Sequence, residues 1–454
     1  MRYKSSNFNF PVKFDNGKIY LFNSMNVSAI KVHDVFEPFI KELLNSDPFE
    51  FCDLPEVSIP LLKMLSEGGF LIPEHFDEKK EIEKRYINQP GDKTLSITIV
   101  PTLNCNLSCL YCYQEHDKSK MTFETADKIT AEIEKMLPKL KPGNLEIDWY
   151  GGEPLLAPKI IEYLSGKLIY TAKQFDIPYA ATVTTNATLI NDKLIKLLAD
   201  SQVEELQITL DGPPSIHNIN RPYSNGKPSF EAVLNGITKA LDYFDVNLRI
   251  NVNKDSIGNS LELLNILKEK YLFNRPKELR PYIAMIGPLS YACSHTAKNT
   301  MPLDEFFSHV LKFQKEIIKL TPNGDIKRIL EFPKVLNRAC GAQSQYSLCI
   351  HPEGRVFKCG LEVHDLNLGG DFIWEDYQSH PNYKKWMNVN PLEIEECNNC
   401  KFLPICMGGC AKYNFKEGDF YEKESCLYWN NYLKEIIKQY VEVTEKERAN
   451  VLIE

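Results

Sequence analysis

Between residues 95 and 290, short apolar runs alternate with longer stretches in which apolar residues recur at helical spacing. The apolar runs predict six strands, LSITIVPT, LEIDWYG, YAATVTTN, ELQITLDG, LRINVN and LRPYIAMIG. Helices are predicted between them, for example in ETADKITAEIEKML, PKIIEYLSGKLIYTAKQF and NDKLIKLLADS. This alternation predicts an α/β fold with a parallel sheet, which is either curved into a partial barrel or open. In both forms, functional residues are expected at the carboxyl ends of the strands.

The segments on either side have different patterns. Before residue 92, the strand KIYLFNS precedes two helical patterns, AIKVHDVFEPFIKELL and IPLLKMLSEGGFLI, and the second ends at Gly-Gly before a small strand. This order predicts a winged-helix-like module, followed by a linker at the charged stretch EHFDEKKEIEKRY. Further on, PLDEFFSHVLKFQKEIIKL predicts a linking helix, and NNYLKEIIKQYVEVTEKE predicts a final helix. The predicted divisions are 1–92, 93–310, 311–338 and 339–454.

Composition and charge exclude several classes of protein. Of the 454 residues, 43% are hydrophobic and 25% are charged, which is typical of a folded globular chain rather than a disordered one. No apolar run approaches the roughly 18 residues that span a bilayer. The net charge of −8 argues against broad nucleic-acid affinity. We therefore expect a soluble, cytoplasmic protein without nucleic-acid or membrane partners.

The thirteen cysteines are the most informative part of the composition. Three fall within eight residues, eight lie between residues 340 and 426, and the remaining two, Cys52 and Cys293, stand apart. The odd count and the absence of an export signal do not favour a disulfide scaffold. Clusters of this kind in a reducing cytosol are more typical of metal ligands.

The first cluster, Cys105-Asn-Leu-Ser-Cys109-Leu-Tyr-Cys112, follows the first predicted strand. A tetrahedral zinc site would need a fourth ligand, for which His116 is the nearest alternative. Three thiolates can instead hold an iron–sulfur cluster and leave one iron open to another ligand. The C-x3-C-x2-C spacing at this position resembles the signature of the radical S-adenosylmethionine (radical SAM) superfamily.

This resemblance implies a role for each matching residue. Cys105, Cys109 and Cys112 would hold a four-iron four-sulfur cluster whose fourth iron binds S-adenosylmethionine. Tyr111 is expected to lie against the adenine, and Thr185 and Asn186 to contact the ribose. The methionyl amine is expected at the GGEP element, which consists of Gly151, Gly152, Glu153 and Pro154, and the carboxylate at Arg221. Thr209 and Asp211 match the family's element at the end of the fourth strand.

In this superfamily, the reduced cluster passes an electron to the sulfonium, and the 5′-deoxyadenosyl radical that forms takes hydrogen from an unactivated C–H bond. The cofactor carries this chemistry, while the protein orients the reactants and excludes water and oxygen. The resemblance therefore implies a partial (β/α)6 TIM-like barrel, and a one-electron reductant such as flavodoxin or ferredoxin as a partner.

The second cluster has the pattern Cys340-x13-Gly354-x4-Cys359, then Cys397-x2-Cys400-x5-Cys406-x3-Cys410-x15-Cys426. A zinc ribbon would explain the four cysteines from 397 to 410 and leave the others unexplained. The whole pattern resembles the SPASM domain, a C-terminal auxiliary iron–sulfur domain of peptide-modifying radical SAM enzymes. That resemblance implies two further four-iron four-sulfur clusters, three in all. Cys397, Cys400, Cys406 and Cys426 would hold the outer cluster, and Cys340, Cys359 and Cys410 the inner one, with Cys349 as a fourth ligand if the inner cluster is closed.

Three functions follow from these patterns. In the first, the enzyme cross-links a ribosomally made precursor peptide, by a thioether of the sactipeptide or ranthipeptide type or by another cyclising bond. Residues 1–92 resemble the leader-recognition element of such maturases, which binds its peptide as an added strand. In the second, the enzyme forms formylglycine on a sulfatase, although Gly360 stands where those maturases carry a catalytic Asp. In the third, the protein is a cluster-binding scaffold or electron carrier, which would leave the GGEP element without a purpose.

Cys293 lies just after the sixth predicted strand. Most free cysteines are small buried hydrophobes. The alternative is a catalytic thiol that donates a hydrogen atom to a substrate radical, as peptide epimerisation would need.

Overall fold

The structure is a computed structural model. The residues it describes are 1–14, 17–88, 93–115, 117–322, 324–371, 374–414, 426 and 428–451. Backbone packing divides the chain into two compact units. The first unit comprises Met1–Gly91, Asp325–Cys340 and Val389–Glu454, and the second comprises Asp92–Gly324 and Gly341–Asn388. The divisions predicted at 310 and 338 do not coincide with these units, and the predicted domain assignments stay predictions.

The described residues up to Asn88 form two small antiparallel sheets and three helices. Their bounds are β1 Arg2–Ser5, β2 Asn9–Lys13, β3 Ile19–Asn23, β4 Ser28–Val32, α1 Glu37–Leu44, β5 Phe49–Glu50, α2 Ile59–Glu67, β6 Leu71–Pro73 and α3 Glu78–Asn88. One sheet has the order β2-β3-β4 and the other has the order β5-β1-β6. The predicted strand at KIYLFNS is therefore confirmed, as are the helix and the small strand in IPLLKMLSEGGFLI.

Two predictions for this region hold only in part. The first helical pattern begins with strand β4, in which Ile30 and Val32 are more buried than Ala29 and Lys31, and its helix starts only at Glu37. The charged stretch that predicted a linker is mostly helix α3. Two of its apolar residues four positions apart are buried, as is Glu78 at its start, while its other charged residues are accessible to solvent, so the helix is amphipathic. The winged-helix likeness is not confirmed.

The second unit begins with six strands joined by helices. Their bounds are β7 Thr94–Ile99, α4 Phe123–Leu140, β8 Asn144–Trp149, α5 Pro158–Gln174, β9 Tyr179–Thr185, α6 Asp192–Asp200, β10 Val203–Thr209, α7 Pro214–Asn220, α8 Phe230–Ala240, β11 Asp245–Val252, α9 Ser260–Glu269 and β12 Leu279–Met285. All six strands lie at the predicted positions. They are parallel, and each is paired with the next along the chain. The predicted α/β fold with a parallel sheet is therefore confirmed.

This parallel sheet has one apolar face and one polar face. In β8, Leu145, Ile147 and Trp149 are at most 1% exposed, whereas Glu146 and Asp148 between them are accessible to solvent. The same alternation occurs in β7, β9 and β12. Because successive side chains point to opposite faces of a strand, the apolar face forms the core with the helices and the polar face stays accessible.

After β12, the chain forms several shorter elements. Their bounds are α10 Leu303–Leu320, α11 Ile326–Ile329, β13 Ser347–Ile350, β14 Val356–Phe357, α12 Trp374–Ser379 and α13 Pro381–Met387. Helix α10 confirms the predicted linking helix. Strand β13 was not predicted; it is parallel to β7, with Cys349 opposite Thr98. With β14 at its edge, the sheet has the order β12-β11-β10-β9-β8-β7-β13-β14.

The last helices belong to the first unit. Their bounds are α14 Glu395–Asn398, α15 Leu403–Cys406, α16 Ala411–Asn414 and α17 Leu433–Val451. Helix α17 confirms the predicted final helix, and its Leu433 packs with Phe22 of β3 in one apolar core. The Glu445 carboxylate accepts hydrogen bonds from Lys18 Nζ at 2.9 Å and Tyr20 Oη at 2.7 Å. The N-terminal β2-β3-β4 sheet and the C-terminal helix therefore share one core. None of the described helices has the length and apolar character needed to cross a bilayer.

Candidate functional site

The three cysteines of the first cluster lie on the loop that follows β7. Backbone hydrogen bonds fix this loop to the segment after α7: Ser108 N donates to Pro222 O at 2.8 Å, and Leu110 N donates to Asn220 O at 2.9 Å. The ring of His295, from the segment after β12, lies 2.8 Å from Leu110 O through Nε2. The loop is thus held by two distant parts of the chain before any ligand binds.

Gly151 and Gly152 bring the end of β8 against the start of the same loop. Gly152 N donates to Thr102 O at 3.1 Å, and Glu153 N donates to Asn104 O at 2.9 Å. The φ of Gly151 is +136°, and a Cβ on Gly152 would lie 2.3 Å from Asn104 O. Only residues without a Cβ allow the two backbones to approach so closely. In the structure, the close partner of both glycines is the backbone of the cysteine loop.

The Glu153 carboxylate is fully buried and accepts three hydrogen bonds from the protein. Its Oε1 accepts from Leu155 N at 3.0 Å and from Thr185 Oγ1 at 2.7 Å, and its Oε2 accepts from Asn186 N at 2.7 Å. Burial raises the pKa of Glu153, although these donors oppose the shift. The carboxylate therefore ties the end of β8 to the turn after β9, and few of its roughly four acceptor positions stay open for an ammonium group.

Asn186 joins that turn to the cysteine loop. Its Nδ2 donates to Asn106 Oδ1 at 2.8 Å and lies 3.9 Å from Cys105 Sγ, and its Oδ1 accepts from Thr188 Oγ1 at 2.7 Å. Asn106 Nδ2 in turn donates to Thr188 Oγ1 at 2.8 Å. These bonds fix the turn after β9 directly beside Cys105.

A second network surrounds the hydroxyl group of Tyr111. The hydroxyl donates to Asp211 Oδ2 and accepts from Arg221 Nη1 at 2.7 Å and from Asn251 Nδ2 at 3.0 Å. Asp211 is fully buried, and its Oδ1 accepts from Asn251 N at 3.2 Å. Burial raises the pKa of Tyr111 and of Asp211. The network joins the cysteine loop to the ends of β10 and β11.

His217 is hydrogen-bonded to the backbone of this network. Asp211 N donates to its Nδ1 at 3.2 Å, and its Nε2 lies 3.1 Å from Ser229 Oγ, which donates to Arg221 O. Burial, together with the charge of Arg221, lowers the pKa of His217 to about 3. The ring is therefore neutral, and since Nδ1 accepts, the proton is on Nε2.

The thiols of the first cluster are partly buried and interact with one another. Burial raises the pKa of Cys105 to about 12 and that of Cys109 to about 11, and neighbouring thiols add to both shifts. A metal-bound cysteine is a thiolate, so the bound cation must offset the unfavourable burial of that charge. Among the described residues, no three or more His, Cys, Asp or Glu side chains have the arrangement of a single metal-ion site. His116, the alternative zinc ligand, lies outside the described residues.

Residues 99–264 match the family model of the Radical SAM superfamily. This chain has a radical SAM domain. It is similar to the radical SAM cyclopropyl synthase TigE from Paramaledivibacter caminithermalis, with 24% identity over 450 residues that cover 88% of this chain and 87% of TigE. It is also similar to the cysteine-type anaerobic sulfatase-maturating enzyme from Clostridium perfringens, with 23% identity over 342 residues that cover 70% of this chain and 89% of that enzyme. The protein is an enzyme that uses S-adenosylmethionine.

Two solved structures share the fold of this radical SAM enzyme. Native anSMEcpe with bound AdoMet and Kp18Cys peptide aligns with a TM-score of 0.60 at 20% identity, covering 76% of this chain and 98% of that one. SuiB from Streptococcus suis, bound to the precursor peptide SuiA, aligns with a TM-score of 0.53 at 15% identity, covering 94% of this chain and 100% of SuiB. Both likenesses concern the fold, including the extension beyond the parallel sheet.

Most of the predicted S-adenosylmethionine contacts belong to the two networks around Glu153 and Tyr111. Pro154 begins a short buried turn after the GGE segment, and Thr209 is the last residue of β10 and is also buried. The predicted residues therefore lie at the carboxyl ends of the strands, as the sequence indicated. Their contacts with the nucleotide stay predictions.

The four predicted outer ligands of the second cluster, Cys397, Cys400, Cys406 and Cys426, all belong to the first unit. Burial raises the pKa of Cys406 to about 12, and the thiols of Cys397, Cys426 and Cys400 add to the shift. Each of these three thiols is therefore near enough to Cys406 to act on it electrostatically. Their role as ligands of one cluster stays a prediction.

Two of the predicted inner ligands lie in the second unit. Cys349 is buried on β13, and burial raises its pKa well above the ordinary value, with the Cys359 thiol adding to the shift. Cys340 and Cys410 belong to the first unit. The inner ligand set, including closure by Cys349, stays a prediction.

Cys293 is fully buried within its own loop. Its Sγ accepts a hydrogen bond from Ser290 N at 3.4 Å and can donate to Gly287 O at 3.7 Å. Ser290 Oγ donates to Tyr113 O at 2.7 Å, so this loop is fixed beside the cysteine loop. The burial favours a packing role for Cys293, and its role as a hydrogen-atom donor stays a prediction.

Three residues of the site were missed in the sequence. Asn251 is a buried polar residue in the otherwise apolar end of β11, and that contrast in LRINVN was the available signal. Asn106 stands between two ligand cysteines, where no spacing rule draws attention to it. His217 follows the LDGPP turn by only a few residues, yet its contacts with Asp211 and Ser229 depend on the tertiary fold.

Proposed function

We propose that this radical SAM enzyme modifies a ribosomally made precursor peptide and installs a cross-link, a thioether or another cyclising bond. The observation that carries the proposal is the pairing of a radical SAM domain with the outer cysteine group around Cys406. The likeness to SuiB, whose structure contains its precursor peptide, supports it over 94% of the chain.

The residues around the cysteine loop fit a cluster with a bound amino-acid ligand. Cys105, Cys109 and Cys112 would hold the cluster, because all three lie on one loop that the fold has already fixed. When bound, the cluster and S-adenosylmethionine supply a 5′-deoxyadenosyl radical that removes hydrogen from a C–H bond. Arg221 Nε is buried and has no hydrogen-bond partner among the described residues, so it can donate to the ligand carboxylate.

The two networks have different tasks in this proposal. The Glu153 network keeps the backbone of Gly152 against the cysteine loop, so that the strand edge can receive the methionyl amine. The Tyr111 network fixes the Arg221 guanidinium through Nη1, and Nε would then donate to the ligand carboxylate. Because both networks are buried, the protein dipoles are oriented before binding and need little reorganisation.

Two auxiliary clusters complete the proposal. Cys397, Cys400, Cys406 and Cys426 would hold the outer one. Cys340, Cys359, Cys410 and Cys349 would hold the inner one, and the electrostatic interaction between Cys349 and Cys359 supports its closure.

A one-electron reductant of the flavodoxin or ferredoxin type would supply the first electron. In thioether formation, one S–H bond and one C–H bond break and one C–S bond forms. The hydrogen atom from carbon is taken up in 5′-deoxyadenosine, and the hydrogen from sulfur leaves as a proton. The remaining electron returns to an iron–sulfur acceptor.

The leader of the precursor peptide would bind the β2-β3-β4 sheet at strand β4. This strand lies at the edge of its sheet, and Ala29 and Lys31 are exposed. An extended peptide can add a strand to such an edge. Since this sheet shares a core with α17, deleting it would expose that core, and point variants are the better test.

Proline substitution offers such a test, because neighbouring residues direct their N–H groups to opposite sides of a strand. Either Ala29→Pro or Ile30→Pro removes an N–H that faces away from β3. One of the two variants should bind a fluorescent leader peptide at least tenfold more weakly without a change in melting temperature. If both variants bind the leader peptide as tightly as the wild-type enzyme does, binding at this edge is refuted.

Sulfatase maturation is the second candidate, favoured by the likeness to the Clostridium perfringens enzyme. The first observation is whether a short cysteine-bearing reading frame lies beside the gene. If it does, the peptide that it encodes is incubated with the reconstituted enzyme and analysed by mass spectrometry. Loss of two hydrogens supports the cross-link, and conversion of cysteine to formylglycine supports sulfatase maturation. Deuterium uptake at unchanged composition supports epimerisation. Cys109→Ala is the control, and any product it forms would refute the assignment of the radical chemistry.

A further inference from the structure

The polar face of the parallel sheet carries several carboxylates, and Asp148 differs from its neighbours. Glu205 and Asp245 on this face are both paired with Arg280, at 2.5 Å each. Asp148 instead accepts hydrogen bonds from the hydroxyl groups of Thr182, at 3.0 Å, and Thr98. Among the described residues, no cation is paired with it. Its negative charge is therefore stabilised by hydrogen bonds from neutral hydroxyl groups, without an ion pair among the described residues.

Asp148 also has a particular place along β8. It lies in register with Thr98 on β7 and Thr182 on β9, and Thr98 lies in register with Cys349 on β13. Two residues further along the same face is Tyr150, whose hydroxyl group shares a hydrogen bond with that of Tyr113. Tyr113 directly follows Cys112. Asp148 is thus on the polar face of β8, next to β7, which leads into the cysteine loop and separates β8 from the strand that carries Cys349.

The environment suits a group that exchanges a proton. The side chain is accessible to solvent in part, yet the surrounding protein raises the pKa of Asp148 to about 6. Its two hydroxyl donors partly oppose this shift. A carboxylate in this range is mostly ionised at neutral pH and is basic enough to take a proton efficiently. The groups beside Asp148 on the same face are Glu146 and Tyr150 on its own strand and Thr98 and Thr182 on the neighbouring strands. Cys349 and Glu205 lie one strand further away, on opposite sides.

We propose that the Asp148 carboxylate binds the nucleophilic group of the substrate peptide and accepts its proton as the cross-link forms. The inference rests on the proposed function and names the base of that reaction. For a cysteine nucleophile, the S–H bond breaks, an O–H bond forms on Asp148, and the electron pair stays on sulfur. The proton then leaves along the accessible polar face. The thiolate that results is the competent nucleophile.

The test compares Asp148→Asn with Glu146→Gln, a matched change on the same strand and face. The substrate is a synthetic cysteine-bearing precursor peptide, chosen from a short reading frame beside the gene where one is found. The readouts are cross-linked peptide, 5′-deoxyadenosine and melting temperature. Asp148→Asn keeps the shape and the acceptor for Thr182 Oγ1 and loses the basic charge. We expect its yield of cross-linked peptide to fall about 100-fold while 5′-deoxyadenosine changes less than twofold. Glu146→Gln should match the wild-type enzyme.

The pH profile separates a base from a merely structural group. Wild-type cross-linking should rise with pH through about 6, because the carboxylate must be ionised to accept the proton. Asp148→Asn should lose this rise, and Asp148→Glu should restore part of the yield. Cross-linking by Asp148→Asn at the wild-type rate would overturn the inference and leave the proposed function intact. A wild-type enzyme that forms no cross-link on this peptide, with 5′-deoxyadenosine still released, would count against the proposed function instead. Equal loss in Glu146→Gln would also overturn the assignment to Asp148.

Discussion

Replacing Gly152 with alanine tests how closely the end of β8 must approach the cysteine loop. The added Cβ would lie 2.4 Å from Leu103 O and 2.3 Å from Asn104 O, both of them backbone atoms. An ordinary contact begins at 3.4 Å, so the two backbones must separate by about 1 Å. Crowding of this size in a packed interior costs about 1–3 kcal/mol of unfolding free energy. Since Cys105 directly follows Asn104, the displacement would be transmitted to the first cluster ligand.

Two assays measure these effects in anaerobically reconstituted enzyme. Urea unfolding gives the loss of stability, and 5′-deoxyadenosine release under a chemical reductant gives the activity, which should fall about 100-fold because a misplacement of about 1 Å can have that effect. Gly166→Ala in helix α5 is the control, since nothing lies within 4 Å of its Cβ position. Its activity should not change, and its stability should rise by up to about 1 kcal/mol. A Gly152→Ala enzyme with normal stability and activity would refute the argument.

Three further predictions concern the networks and the second cysteine group. Tyr111→Phe removes the hydroxyl group that joins Asp211 to Arg221, and urea unfolding should show a loss of about 2–3 kcal/mol; an unchanged midpoint would contradict the network. His217 has a pKa of about 3 when folded and an ordinary one when unfolded, so stability should fall as pH drops from about 6.5 towards 3, by up to about 1.4 kcal/mol per pH unit from this residue. His217→Gln should reduce that slope, and an identical slope would contradict the assignment. Cys406→Ser should lower the iron content by about one four-iron cluster, whereas Cys52→Ser, at an exposed site, should retain it; equal iron in both would contradict the outer cluster.

The six strands β7 to β12 were predictable because each is a short run with one buried apolar face. Residues such as Leu145 and Ile147 make that pattern visible without knowledge of the fold. Strand β13 was not predictable in the same way, because it has four residues and its partner β7 lies about 250 positions earlier in the chain. Helix α3 was not predicted because its charged residues outnumber its apolar ones, of which only Ile82 and Tyr86 are buried. The four-residue spacing of these two was the helical signal.

The site was predictable at the level of motifs rather than contacts. The spacing of the cysteines and the GGEP letters indicated which loops meet. The structure adds that the Glu153 carboxylate already accepts three hydrogen bonds from the protein. No motif reveals this, because two of the donors, Thr185 and Asn186, come from the end of β9 and the turn after it. In the same way, Asn251 and His217 act through residues distant in sequence, so their part in the network follows only from the folded chain.

The central claim is that Cys105, Cys109 and Cys112 hold an iron–sulfur cluster that binds S-adenosylmethionine. Electron paramagnetic resonance of the reduced, anaerobically reconstituted enzyme tests it directly, with and without S-adenosylmethionine. We predict that the nucleotide changes the spectrum of the wild-type enzyme, and that a variant with all three cysteines replaced by alanine keeps the auxiliary signals and loses this change. An enzyme that contains zinc without iron, or a wild-type spectrum that S-adenosylmethionine leaves unchanged, would contradict the claim.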